Sequence, residues 1–290
     1  MTLETLTTIL GQLMCVGALT SLVTYESLWM DYFNQVWLLK STLKLKFDVY
    51  KFKLIVVAVA LDIFWIVTNA IFIKYIYGAF SHLLYVDIIV HSLYHLTCSY
   101  FIVNVVKFTR QCLAQTNKVL QQRLLSATND LPAKIRHITI IYEDIRTLNK
   151  IFEDLFGWRM LLMIVGAGLI MLNTFNFLLQ LLLTSENVLI IATTLLIGLF
   201  GVSSSVWVMQ ECDATANEGQ TIATTALKYE KNFPLNSEER RELMRLAGCV
   251  MHRKIAFTAA GFFGVNRRNI FALFGTATTY FIILIQLMNV

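Results

Sequence analysis

The stretch from Asn269 to Val290 reads NIFALFGTATTYFIILIQLMNV and carries no charged side chain. At ~1.5 Å per residue a helix of that length spans roughly 30 Å, the thickness of a bilayer core. Arg267 and Arg268 stand directly before it and would hold its start at a membrane surface. Gly275, Thr279, Ile282, Ile283 and Gln286 fall close to one helical stripe. A glutamine facing lipid would leave its amide unsatisfied, so this stripe should face protein or water. It fits helix–helix packing, where Gly and Thr let backbones approach and Gln bonds across, and it fits the wall of a pore.

The rest of the chain agrees with a membrane setting. Mean hydropathy is +0.62 and only 15% of residues are charged, against roughly 25% in a soluble domain. The expected class is an all-α polytopic membrane protein with six spans: 9–23, 54–76, 82–108, 155–183, 188–209 and 269–290. The first opens almost at Met1 without the basic region of a cleaved signal peptide, so it reads as a span. No P-loop, HExxH or GxSxG sequence occurs, and the five cysteines show no metal-ligand spacing. Neither an enzyme nor a cofactor is expected, and no nucleic-acid partner.

Basic residues set the orientation. Lys40, Lys44, Lys46, Lys51 and Lys53 lie between spans one and two, with further basic runs in 107–150 and 228–268. These are alternate loops, so they share one side, which is cytosolic, and the C-terminus lies outside. Residues 111–150 are of helical type, broken around Asn129-Asp130-Leu131-Pro132. Beyond Pro234, Asn236 or Ser237 can cap a helix with Glu238 and Glu239 in its first turn and Leu243, Met244, Leu246 and Ala247 on one apolar face.

Polar residues inside the spans form stripes. Asp62, Trp65 and Asn69 share a face in the second span, Asp87, His91 and His95 in the third with Tyr94 beside them, and Asn173, Asn176 and Gln180 in the fourth. Nearly all sit in the external half of the bundle, with Asp62 nearer mid-membrane. Such groups face a bundle interior or a wet cavity. They suit either a small polar or amphipathic ligand or interhelical hydrogen bonds. Asp87, His91 and His95 have zinc-donor types but show no fourth ligand, so no metal is expected.

Thr279-Tyr280, five apolar residues and Gln286 resemble the TYhhhhhQF signature of insect gustatory receptors, and the run from Ala256 to Arg267 is similar to that family's lead into its last helix. Leu287 replaces the Phe that usually follows the Gln. The resemblance implies a tastant-gated non-selective cation channel in the plasma membrane of sensory neurons, a homotetramer or hetero-oligomer in lipid. In the outer half of the bundle the polar stripes then supply the expected ligand site: Trp65, Asn69, Asp87, His91, Tyr94, His95, Asn173, Asn176 and Gln180. A pore and gate would come from Gly275, Thr279, Ile282, Ile283, Gln286 and Leu287, with Tyr280 packing on a neighbouring helix. It divides the chain into ligand-bundle helices (1–110), a cytosolic helical extension (111–154), two further spans (155–210), a cytosolic anchor (211–268) and the pore helix (269–290). The family has seven spans, so this chain reads as an N-terminally shortened member. Phe281 stands where sugar-receptor members often carry an acid, which points to a bitter-type or fructose-type ligand. A non-conducting isoform that modulates longer receptors, or a G-protein-coupled receptor, are the alternatives. An external C-terminus and the lack of DRY and NPxxY motifs speak against the latter.

Overall fold

A computed structural model describes residues 25–45, 82–126, 130–183 and 188–288. The expected spans at 9–23 and 54–76 lie outside these residues. The elements in chain order are α1 (Glu26–Leu43), α2 (His82–Leu125), α3 (Leu131–Leu183), α4 (Val188–Glu230), α5 (Glu238–His252), a hairpin of β1 (Thr258–Ala259) and β2 (Phe263–Gly264), and α6 (Arg267–Met288).

α2, α3 and α4 each run well past their apolar stretch. α3 has 53 residues, about 80 Å of helix against a ~30 Å bilayer core, so much of it stands outside any membrane. The reason it stays helical there is spacing. Ile135, Ile138, Tyr142, Ile145, Asn149, Phe152, Phe156 and Met160 are all buried, in steps of three and four. α4 repeats this with Ser205, Val208, Cys212, Thr215, Ile222 and Ala226, and α2 with Ile102, Val106, Leu113, Thr116 and Leu120. These stripes meet in one core shared by α1 to α5 and residues 255–265. Helix therefore runs unbroken through positions 110, 154 and 210. The break between α2 and α3 falls where the sequence marks it. Pro132 sits in the first turn of α3, where its missing N–H leaves no intrahelical bond unmade.

α5 starts as its sequence requires: the Ser237 hydroxyl accepts from the Arg240 amide at 3.3 Å, with Glu238 and Glu239 in the first turn. Leu243, Leu246 and Ala247 are buried, as expected, but Met244 is 47% exposed. It stands about 100° round the helix from Leu243 and faces outward.

A second, smaller core of Ala167, Met171, Val202 and Ala277 lies where α6 meets α3 and α4. Among the described residues, Leu131–Leu181 and Thr194–Glu230 are long and apolar enough to cross a membrane.

Candidate functional site

α6 has two faces. Leu273, Ala277 and Phe281, four residues apart, lie on the side that meets α3. Ala277 is 3% exposed, the Phe281 ring lies 5.1 Å from Phe175, and Leu273 Cδ1 lies 3.3 Å from where a Cβ on Gly168 would stand. Counting 100° per residue, Gly275, Thr279, Ile282, Ile283 and Gln286 centre on the opposite side. All five are exposed, and a Cβ added at Gly275 would meet nothing within 4 Å. The Thr279 hydroxyl turns back to its own helix and donates to the Gly275 carbonyl at 2.9 Å. Tyr280 stands on the flank between the faces, 37% exposed. Leu287 belongs to α6, but its side chain lies outside the described residues.

The mounting of α6 begins in the segment before it. Ile255, Phe257 and Ala259 are buried while Ala256 and Thr258 are less so, the alternation of an extended strand. The chain then reverses at Ala260 and Gly261, whose φ values are 51° and 77°, and the Phe262 amide donates to the Ala259 carbonyl at 3.0 Å. Three residues, Ala260 to Phe262, close the hairpin between the paired Ala259 and Phe263, and Gly261 adopts its positive φ without strain.

Three side chains of α3 hold this segment by its backbone. The Tyr142 hydroxyl donates to the Arg253 carbonyl at 3.0 Å, the Asn149 amide donates to the Ala256 carbonyl at 2.8 Å, and Glu153 accepts from the Thr258 amide at 2.7 Å. They fall at i, i+7 and i+11, one stripe of the helix. Burial raises the Glu153 carboxyl above its ordinary value, with the Thr258 hydrogen bonds opposing. Burial also pushes the Tyr142 hydroxyl up to about 12. One turn on, the backbone of the hairpin rests on Gly157: an added Cβ there would come within 3.1 Å of the Ala260 nitrogen. At the start of α6 itself, Arg267 reaches Asp213 of α4 at 3.5 Å.

A groove of about 660 Å³ opens between α3 and α5, lined by Ile140, Glu143, Cys249, His252, Arg253 and their neighbours. Burial alone would raise Glu143, but hydrogen bonds from Cys249, Arg253 and Arg146 outweigh it and hold the carboxyl below its usual value. The Cys249 thiol is pushed up to about 11 by burial and by Glu143, to which it donates at 3.0 Å. It stays a thiol at neutral pH, a poor nucleophile.

Of the residues expected to hold a ligand, Asn173, Asn176 and Gln180 lie in the last turns of α3. Both asparagines are half-buried and Gln180 is exposed. Asp87, His91, Tyr94 and His95 lie on α2, and their side chains are outside the described residues, as are Trp65 and Asn69 altogether. Nearby, α3 and α4 approach closely: a Cβ on Gly198 would fall 2.5 Å from the Thr174 side chain. The three clamps on α3 have a sequence signal that hydropathy hides: Tyr142, Asn149 and Glu153 interrupt an otherwise apolar stripe at helical spacing.

The family model of the 7tm chemosensory receptors matches residues 1–287. The chain belongs to this family, that of the insect gustatory and olfactory receptors. Over 55 residues the receptor is 49% identical to "Putative gustatory receptor 28a" and, over 55 residues, 42% identical to "Putative gustatory receptor 28b", both of Drosophila melanogaster. Each match takes in 19% of this chain and 12% of the relative's own length. The fold is that of the insect olfactory receptor OR5 from Machilis hrabei. Against its complex with eugenol the TM-score is 0.55 at 13% identity, covering 97% of this chain and 88% of that one. Against a second structure of OR5 the TM-score is 0.51 at 14% identity, with the same coverage of both chains. Family and apolar helices together make the receptor a membrane protein.

Proposed function

We propose that this receptor is a tastant-gated, non-selective cation channel of the plasma membrane of sensory neurons, with α6 of four subunits lining one pore. The observation that carries the reading is the division of α6. One face packs on α3 through Leu273, Ala277 and Phe281, while Gly275, Thr279, Ile282, Ile283 and Gln286 are left exposed on the other. The Thr279 hydroxyl is satisfied by its own helix, but a membrane helix that points a glutamine away from its own subunit satisfies the amide in water or on a neighbouring subunit, not in lipid. Gln286 and Leu287 form the outer gate: apolar groups at a constriction exclude water when close, and the amide ring rehydrates the opening.

Six spans with an external C-terminus put the polar lengths of α2, α3 and α4, with α5, on the cytosolic side as an anchor (111–154 and 211–268). The tastant binds at the other end, among Trp65, Asn69, Asp87, His91, Tyr94, His95, Asn173, Asn176 and Gln180. A small-molecule ligand is supported by the neighbouring fold, whose solved complex contains eugenol. The subunits form a homotetramer or join other receptor chains. Patch clamp on cells that express this chain and lack G-protein coupling tests the reading with a tastant panel. A direct ligand-evoked cation current is expected. Normal surface expression without current, or a response that needs a G protein, would overturn it.

A further inference from the structure

α1 lies against the bundle at one depth. The Trp29 ring packs 6.1 Å from Phe101 of α2 and 5.5 Å from Phe156 of α3. Both partners stand where their helices pass from apolar to polar sequence, Phe101 near the end of 82–108 and Phe156 at the start of 155–183. Two further markers share that depth. Trp158, 63% exposed, meets Phe262, 68% exposed, at 5.8 Å, and the Arg159 guanidinium lies 5.3 Å from the Phe156 ring. Tryptophan, exposed aromatics and arginine collect at the boundary between hydrocarbon and headgroups.

Around α1 itself there are three strips. Tyr32, Leu39 and Leu43 are buried against the core. Ser27, Asn34 and Ser41 form an exposed polar strip. Between them Met30, Phe33 and Trp37, at i, i+3 and i+7, are 58%, 55% and 71% exposed. Lys40 Nζ lies 5.6 Å from the Trp37 ring, and Lys44 is exposed at the helix end. The sequence continues with Lys46, Lys51 and Lys53, so residues 40–53 hold five lysines against one acid, Asp48. One side is packed on protein, one is polar, and an aromatic stripe is edged with lysine. That is the make-up of a helix lying in a membrane interface.

We propose that α1 is an interfacial helix that binds anionic phospholipid. Met30, Phe33 and Trp37 enter the acyl boundary, and Lys40 and Lys44 hold the negative headgroups. The choice of the cytosolic leaflet rests on the topology proposed above; the lipid contact rests only on the spans. The contact is not isolated from α6. Trp29 packs on Phe156, Phe156 on Phe152 at 5.0 Å, and Phe152 on Phe257 at 5.6 Å, in the segment that leads to the hairpin.

The test uses the full receptor in nanodiscs of phosphatidylcholine, alone or mixed with phosphatidylserine. A photo-crosslinking benzoylphenylalanine replaces Met30, Phe33 or Trp37, and in controls Asn34 on the polar strip or Leu196 on α4, 66% exposed within an apolar stretch. Lipid adducts, read by mass spectrometry, are expected at 30, 33, 37 and 196 and absent at 34. Phosphatidylserine adducts at 33 and 37 should exceed the lipid's share of the disc. Lys40→Gln and Lys44→Gln should each cut that excess on the order of fivefold. Adducts at 196 but not at 30, 33 and 37 would overturn this proposal alone, and crosslinks from α1 to a second copy of the chain would make the stripe a subunit contact instead. Adducts at none of the four would overturn the membrane placement with it. Equal phosphatidylserine yields with and without the lysines would refute headgroup binding.

Discussion

Along α3, from Ile135 to Met160, a side chain is buried at every third or fourth position, whereas most residues from Val165 to Phe177 are only half-buried. The first length is enclosed by α1, α2, α4, α5 and the hairpin segment. The second meets α4 and α6 through a small cluster and close glycine contacts, and is otherwise only half-buried. Both lengths have the same helical geometry and similar apolar stripes. What differs is what completes them. One end closes within a single chain; the other end is left half-buried by it.

The largest effect should come from the closed end. Phe152 is 1% exposed, stacks on Phe156 and meets Phe257 edge to face. Phe152→Ala is expected to remove about 3–5 kcal/mol, read as a large drop in the melting temperature of the purified receptor. Phe175→Ala, at the half-buried contact with Phe281, should cost clearly less. Equal losses would erase the difference between the two ends.

A pair of glycines sharpens the contrast. Gly157→Ala pushes a methyl into the backbone of Ala260 and should cost ~1–3 kcal/mol, as overpacking does. Gly275→Ala enters open space within the subunit and should leave its stability within ~0.5 kcal/mol or raise it, Ala being the better helix former. Monomer melting curves decide it: a Gly157→Ala receptor as stable as the wild type would mean the hairpin is not seated there.

The clamp gives an effect of similar size or smaller. Glu153→Ala leaves the Thr258 amide without its acceptor, about 1–3 kcal/mol if no water replaces it. Glu153→Gln keeps an acceptor. Because burial raises the folded-state pKa of Glu153, its neutral form contributes stability below the unfolded carboxylate pKa, and this is lost as pH rises through the folded value. Wild type should therefore lose stability relative to Glu153→Gln as pH rises through the carboxylate range. A difference that is flat with pH would show that the carboxyl is not desolvated in the folded receptor.

Much of the frame was legible because it rests on local rules. Ser237 caps α5, Pro132 marks the start of α3, and the stripe of Gly275, Thr279 and Gln286 is exposed as a unit. The helices extend past their spans because heptad-like spacing outlasts hydropathy, a pattern that averaging conceals. Met244 departs from the expected apolar face because the buried side of α5 is narrower than its run of apolar residues. Tyr142, Asn149 and Glu153 were not singled out. Each looks like a solvated polar residue until the strand of Ile255, Phe257 and Ala259 is laid across them. α1 was hidden by its mixture of aromatic and polar residues. The proposed ligand residues sit on different helices, and no spacing along one chain fixes the distance between them.

The division of α6 can be measured directly. Single cysteines at Gly275, Thr279, Ile282, Ile283 and Gln286, and in controls at Leu273, Ala277 and Phe281, are exposed to a permeant thiol reagent while tastant-evoked current is recorded. Modification that alters the current at the first five, faster in the presence of tastant, with little effect at the three controls, is the expected result. Modification that follows the controls, or spares the five positions in both the open and closed states, would contradict a pore lined by this face.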